Sequence, residues 1–153
     1  MSRMLVAYFS ATGVTAKVAE TLSEAIGADI YAIEPAIPYS KSDLDWMDRN
    51  SRSSIEMSDP ASRPAIAGKR DNMDDYDTVF VGFPIWWYVE PRIVDTFLDG
   101  VALEGKTVIP FATSGGSGVE NAAAHLKELY PAADWRPGKL LRRGNAAAWA
   151  KTL

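Results

Sequence analysis

The chain has 153 residues, enough for one domain with a substantial core; 47% are hydrophobic and 24% charged, as is ordinary for a globular protein. A net charge of -4 without a basic stripe argues against nucleic-acid binding, and the lack of cysteine excludes disulfides, a thiolate nucleophile and a cysteine metal site. No apolar run reaches the ~20 residues of a membrane span, and an apolar strand from Met4 leaves no room for a signal peptide, so we expect a cytoplasmic protein.

A hydroxyl-rich turn, Ser10–Thr15, joins the first predicted strand to the first predicted helix. The strand is the apolar run Met4–Phe9, and apolar residues at helical spacing from Val14 to Ile26 indicate the helix. Such a junction presents backbone N–H groups and the positive end of a helix dipole, and Gly13 permits close backbone approach. Because the turn has no Lys or Arg, it predicts a phosphate site built from neutral donors; the alternative is an ordinary turn with a helix cap.

The next part of the chain predicts a second strand and then a long insertion. Gly27 suits a helix C-cap, and Ala28–Glu34 has the composition of a strand, which a helical crossover would place parallel to the first. Residues 35–76 are rich in Ser, Asp, Arg and Pro, and Ser42–Met47 predicts the start of a short amphipathic helix. A connection of this length is typically a lid or a partner surface, and its scattered apolar residues favour order over disorder.

The remaining chain continues the alternation of strand and helix. Its pattern predicts, in order, a strand at Asp77–Phe83, a helix beginning near Pro91, a strand at Lys106–Ala112, a helix at Val119–Leu129, a fifth strand within Asp134–Leu141 and a terminal helix at Ala146–Leu153. Since the chain has no internal repeats, we expect residues 1–153 to form a single α/β domain with an ordered insertion at 35–76.

Unusual residues follow three of the predicted strands. Besides Ser10–Thr15, the aromatic run Pro84–Tyr88 follows the third strand, and the glycine-rich run Thr113–Gly118 follows the fourth. The carboxyl ends of parallel strands lie on one edge of a sheet, so we expect these loops to converge. Phosphate donors, aromatic faces and open backbone together suit a nucleotide-like ligand with a planar ring. The alternatives are core packing of the aromatic residues and a flexible, cap-forming third loop.

Together these loops resemble those of the flavodoxins, and Phe83–Trp87 is similar to a short bacterial branch of that family. The likeness runs from Met4 almost to the C-terminus. It implies a three-layer α/β fold, an open five-stranded parallel sheet in the order 2-1-3-4-5 with helices on both faces, and FMN where the loops meet. The resemblance implies that the FMN phosphate is bound by Ser10, Thr12, Gly13, Val14 and Thr15. It also implies that the isoalloxazine ring is contacted by Pro84, Ile85, Trp86, Trp87, Tyr88, Thr113, Ser114, Gly115, Gly116, Ser117 and Gly118.

Two positions depart from the family pattern. Val14 stands where Asn is common, which removes one side-chain contact to the phosphate but leaves the main-chain N–H. Tyr88 stands where a small residue such as Gly is common, and its ring would either stack on the flavin or crowd its edge.

The resemblance implies electron transfer, with the redox chemistry carried by FMN, and no side chain is expected to act as a catalyst or to bind a metal. The sole histidine, His125, is predicted to be a solvated or packed helix residue. We therefore expect a low-potential electron carrier with transient redox partner proteins and no nucleic-acid or membrane partner.

Two other functions stay open. One is an FMN enzyme that takes electrons from NAD(P)H and reduces quinones or similar small acceptors. The other is a non-redox flavin- or ligand-binding module that docks a partner protein. The sequence contains no nicotinamide-binding motif, which favours the carrier over the reductase.

Overall fold

A parallel β-sheet forms the centre of the molecule, which the computed structural model describes at residues 3–68, 73–113, 118–141 and 145–152. Its strands are β1 (Met4–Tyr8), β2 (Asp29–Ala32), β3 (Thr78–Pro84), β4 (Thr107–Thr113), β5 (Asp134–Trp135) and β6 (Lys139–Leu140). The spatial order is β2-β1-β3-β4-β5, with β6 also paired to β4, and each of these pairings is parallel. This is the order that the resemblance implied, so the predicted fold class is confirmed.

Helices cover both faces of this sheet. They are α1 (Val14–Ile26), α2 (Arg52–Ser58), α3 (Arg92–Asp99), α4 (Glu120–Leu129) and α5 (Ala146–Ala150). Successive residues of a strand point to opposite faces, so Val6 belongs to the core with α1 and α5, whereas Leu5 belongs to the core with α3 and α4. The two cores give the molecule three layers. None of the helices described has the length and apolar character needed to cross a bilayer.

The fifth position of the sheet differs from the single strand predicted within Asp134–Leu141. Two short strands, β5 and β6, occupy it, and both pair with β4. Pro137, between them, and Pro110 of β4 lack the N–H group that a continuous ladder needs. A Cβ atom at Gly138 would lie 2.6 Å from the carbonyl oxygen of Pro110, so only glycine fits this approach. Two prolines and a close backbone contact therefore interrupt the strand.

The prediction that a helix begins in Ser42–Met47 is wrong. Residues 41–50 form turns, and the helix of this region is α2. Asp45 and Asp48 each accept a hydrogen bond from the main-chain N–H two residues further on, at 3.1 and 2.9 Å. Such local bonds give the backbone an alternative to the helical ladder. The helix begins only after Ser51, whose Oγ caps it by accepting from a main-chain N–H at 3.3 Å.

The described part of the 35–76 insertion folds back onto the sheet and onto α3. Pro35 forms an antiparallel bridge with Ile66, which brings the two ends of this part together. Met57 of α2 is buried, and its carbonyl oxygen accepts a hydrogen bond from Arg92 Nη2 of α3 at 3.0 Å. These contacts join the insertion to the layer that contains α3. The role of the insertion as a lid or a partner surface stays a prediction.

Candidate functional site

Thr113, at the end of β4, contacts both of the other predicted loops. Its Oγ1 atom lies 2.8 Å from Oγ1 of Thr15, in the first turn of α1, in a buried hydrogen bond. Its carbonyl oxygen accepts a hydrogen bond from the main-chain N–H of Ile85, which follows β3, at 3.0 Å. In the sheet, Thr113 pairs with Pro84. The loops after β1, β3 and β4 therefore meet at one edge of the sheet.

The loop after β1 presents a helix N-terminus without a side-chain cap. The N-cap residue of α1 is Gly13, with a left-handed φ of 94° and open space where a Cβ would stand. The predicted alternative, a cap by Ser10 or Thr12, is not formed, because Ser10 Oγ accepts its hydrogen bond from the Gly13 N–H, at 3.0 Å. The first helical N–H groups have no partner within the helix. An open N-terminus of this kind, surrounded by neutral donors, fits a phosphate group.

The hydroxyl groups of this loop are not equivalent. Ser10 is half-buried and keeps its own hydroxyl hydrogen to donate, and Thr12 is exposed. Thr15 is buried, and its hydroxyl is engaged with Thr113, so its main-chain N–H is the group that it can offer. The side chain of Val14 is 55% exposed, so it lies on the solvent side of the helix rather than in the core.

A tight turn, Trp86–Val89, carries the aromatic side chains that follow β3; we call it the aromatic turn. Trp86 and Val89 exchange two main-chain hydrogen bonds, at 3.0 and 3.1 Å. The residues between them, Trp87 and Tyr88, have left-handed φ angles of 48° and 70°. This conformation costs a non-glycine residue about 1–2 kcal/mol, and such strain collects at functional sites. A small residue such as Gly, which the resemblance implies at the position of Tyr88, would avoid this strain.

The aromatic side chains divide between core and solvent. Trp86 is half-buried and packs edge-to-face against Phe9 and Tyr39, with ring centroids 5.6 and 5.5 Å apart. Trp87 and Tyr88 are 44% and 64% exposed. Core packing, the predicted alternative, therefore describes Trp86, whereas the other two rings offer faces to a ligand.

Tyr39, from the insertion, supports the aromatic turn from outside and was not singled out in the sequence. The guanidinium carbon of Arg52 lies 3.9 Å from the centroid of the Tyr39 ring. Glu56 accepts hydrogen bonds from the Tyr39 hydroxyl and from Arg52 Nε. Burial and the bond to Glu56 raise the pKa of Tyr39 above its usual value, so this ring stays neutral. The sign in the sequence that could have identified Tyr39 was an aromatic residue near the start of a polar segment.

A buried charged cluster lies directly after the aromatic turn. Glu90 and Asp95 are fully buried, and Arg92 is 5% exposed. His125 Nδ1 lies 2.8 Å from Glu90 Oε1, which makes His125 a packed helix residue, one of its two predicted environments. Burial, followed by the hydrogen bond to Glu90, raises the pKa of Asp95 to about 9, and burial also raises the pKa of Glu90. No periodic signal in the sequence marks this cluster, because its residues come from the end of the aromatic turn, from α3 and from α4.

The third loop is described only at its ends. Thr113 is buried, and Gly118 is exposed. The predicted flavin contacts at Ser114, Gly115, Gly116 and Ser117 lie outside the described residues. In the part of the chain that is described, no group of three or more His, Asp or Glu side chains has the arrangement of a metal site.

Comparison with known proteins places the chain among flavin-binding folds. A candidate flavoprotein from Bacteroides eggerthii is 53% identical, with a TM-score of 0.94 over 99% of this chain and 98% of its own. A second, from Bacteroides uniformis, is 49% identical, with a TM-score of 0.95 over 98% of both chains. A Lactobacillus acidophilus flavoprotein in complex with FMN is 20% identical, with a TM-score of 0.76 over 98% of this chain and 99% of its own, and so shows the shared fold.

No curated protein matches the chain. The sequence model of the flavodoxin family, however, matches residues 3–152, nearly the whole chain. This match agrees with the resemblance drawn from the three loops, and the sheet order agrees with it too. The chain belongs to the flavodoxin family.

Proposed function

We propose that the chain binds FMN at the edge of the sheet where its three loops meet, and that it acts as a low-potential electron-transfer protein. The observation that carries this proposal is the contact of Thr113 with Thr15 and Ile85, which joins an open helix N-terminus to the loop bearing exposed aromatic rings. Family membership and the FMN complex of the Lactobacillus flavoprotein support it.

The loop after β1 would hold the phosphate with neutral groups. Ser10 and Thr12 supply hydroxyls, and Gly13, Val14 and Thr15 belong to a backbone whose helix dipole is positive at this end. No cationic side chain lies within this loop, so binding relies on several hydrogen bonds rather than on one ion pair. The absence of a family Asn at Val14 removes one of them.

The other two loops would hold the ring. Pro84, Ile85, Trp86, Trp87 and Tyr88 are the predicted contacts on one side. Thr113, Ser114, Gly115, Gly116, Ser117 and Gly118 are those on the other. When bound, FMN supplies one- and two-electron redox chemistry, and the chain supplies binding, orientation and exclusion of water. Aromatic and apolar surroundings disfavour added negative charge on the ring, which lowers its reduction potential.

Titration of the purified protein with FMN and with riboflavin tests binding. We expect quenching of flavin fluorescence and an affinity for FMN at least tenfold higher than for riboflavin, because only FMN has the phosphate. Unquenched fluorescence at saturating FMN would show that the cofactor assignment is wrong. Equal affinities would show that the loop after β1 does not bind phosphate.

Two further measurements separate the carrier from its alternatives. We expect the bound flavin to have a lower reduction potential than free FMN and to react slowly when mixed directly with NADH or NADPH. Rapid reduction by either nucleotide would favour the reductase that acts on quinones or similar acceptors. A flavin that binds without any change in potential would favour the non-redox module.

A further inference from the structure

Glu90 connects the aromatic turn to α4. It follows Val89, the last residue of the turn, and its side chain is fully buried. Its carboxylate oxygens lie 2.8 and 3.0 Å from Nδ1 of His125, in the middle of α4. With a carboxylate as the only acceptor at this contact, Nδ1–H of His125 is the donor. This contact fixes the end of the aromatic turn to α4, the helix that follows the third loop.

Asp95 lies beside Glu90 and lacks a donor of its own. Neither carboxyl oxygen of Asp95 has a hydrogen-bond donor among the side and main chains described, although both oxygens are buried. A buried carboxylate without a donor is unfavourable, so burial and the neighbouring Glu90 raise the pKa of Asp95 and keep it protonated near neutral pH. The protonated Asp95 then has one O–H to donate, for which the buried Glu90 carboxylate is the acceptor. The pair therefore holds one proton between two buried acids.

The surrounding charges do not remove the need for this proton. On α3, Arg92 Nη1 is 4.0 Å from Asp95, too far for a hydrogen bond, and Nη2 of the same side chain is bonded to the Met57 carbonyl. Arg63 attracts both acids but is paired with Asp99 at 2.6 Å. The other neighbours are His125, which is bonded to Glu90, and Tyr130, whose hydroxyl lies within hydrogen-bond distance of the Asp95 main-chain oxygen and of Asp99.

The geometry points to Glu90 as a positioning residue of the aromatic turn, kept on His125 by the proton that it shares with Asp95. The turn contains two residues with left-handed φ, Trp87 and Tyr88, so it needs contacts that hold it in this conformation. Loss of the proton leaves two adjacent buried negative charges, which repel each other and displace Glu90. The consequence for flavin binding rests on the proposed function.

The test is the affinity for FMN at about pH 7 and pH 9.5, a range in which the FMN phosphate keeps its charge because its second pKa is about 6. We expect the affinity of the unmodified protein to fall at least fivefold at the higher pH. Asp95→Asn, whose amide donates to Glu90 at every pH, should remove this dependence. Asp99→Asn, the same change at an exposed position of α3, should keep it. If Asp95→Asn does not fold, Glu90→Gln replaces it, because the amide at position 90 can donate to Asp95 at every pH.

The inference is overturned if the FMN affinity of the folded, unmodified protein does not change between the two pH values. It is also overturned if Asp95→Asn, or Glu90→Gln in its place, keeps the full pH dependence. A protein that binds no FMN at either pH would refute the proposed function instead. In that event the indole N–H signals of Trp86 and Trp87 in the flavin-free protein decide the question. They should move between the two pH values in the unmodified protein but not in Asp95→Asn, and signals that do not move overturn the inference.

Discussion

Thr15 and Thr113 are joined by a buried hydrogen bond of 2.8 Å between their Oγ1 atoms. They lie in the first turn of α1 and at the end of β4, and both side chains are almost completely buried. The contact therefore connects the proposed phosphate loop to the loop that follows the fourth strand. Its contribution can be measured without any flavin.

Thr113→Val should lower the free energy of unfolding by about 1–3 kcal/mol, because it leaves the Thr15 hydroxyl buried without its partner. The double variant Thr15→Val/Thr113→Val should recover part of this loss, since no polar group is then left unpaired. Urea unfolding measures both. Thr21→Val, at a half-buried position of α1 whose hydroxyl donates only to the Lys17 carbonyl of the same helix, is the control and should change stability by less than about 1 kcal/mol. Two single variants whose losses simply add would show that the two hydroxyls do not interact.

The fold could be predicted from the sequence because its strands and helices have distinct apolar periods. The buried runs at β1, β3 and β4 lie within one residue of their predicted bounds at each end, and the loops after them were placed at one edge by topology alone. The fifth strand could not be predicted in detail. Its interruption depends on the contact of Gly138 with Pro110, which lies on another strand.

The site could be predicted in part, for a similar reason. Ser10–Thr15 and Pro84–Tyr88 are local patterns, and the structure brings them together. Tyr39 was not predicted, because Trp86, the residue that it contacts, is distant in sequence. In addition, Tyr39 lies in a segment without clear periodicity. Asp95 was not predicted, because helical spacing places it beside Arg92 and Asp99, on the charged side of α3, and its burial depends on packing against other elements.

The left-handed backbone at Tyr88 gives a prediction for stability. Tyr88→Gly should raise the free energy of unfolding by about 0.5–1 kcal/mol, because relief of the strain at φ 70° exceeds the entropy that glycine adds to the unfolded chain. Tyr88→Ala also removes the exposed ring but keeps the strain, so it should not stabilise the protein. Thermal or urea unfolding of the two variants checks this. If alanine stabilises the protein as much as glycine, the effect comes from the ring rather than from the backbone.

Asp95 should make the protein less stable as the pH rises. Its pKa is raised from 3.8 to about 9 in the folded state, so between these values the folded protein holds a proton that the unfolded chain has lost. Stability from this group is therefore greatest at low pH and falls toward pH 9, with a limiting slope of about 1.4 kcal/mol per pH unit.

Asp95→Asn removes this titration. We expect it to be more stable than the unmodified protein at neutral pH, with a difference that grows by at least about 1 kcal/mol between pH 5 and pH 8. Urea unfolding at several pH values measures the difference, and Asp99→Asn should show no such growth. A constant difference across this range would mean that Asp95 is ionised in the folded protein.

Gly13 and Gly27 provide a matched test of the phosphate loop. Both have a left-handed φ, both have open space at the Cβ position, and they lie at opposite ends of α1. Gly13→Asp should lower FMN affinity at least tenfold, about 1.4 kcal/mol, because the carboxylate repels the phosphate. The same carboxylate is a favourable N-cap, so the helix should not be destabilised beyond the cost of the strained backbone. Gly27→Asp imposes a similar backbone cost far from the loop and should leave FMN affinity unchanged. Fluorescence titration measures both, and equal affinities in the two variants would mean that the phosphate lies elsewhere.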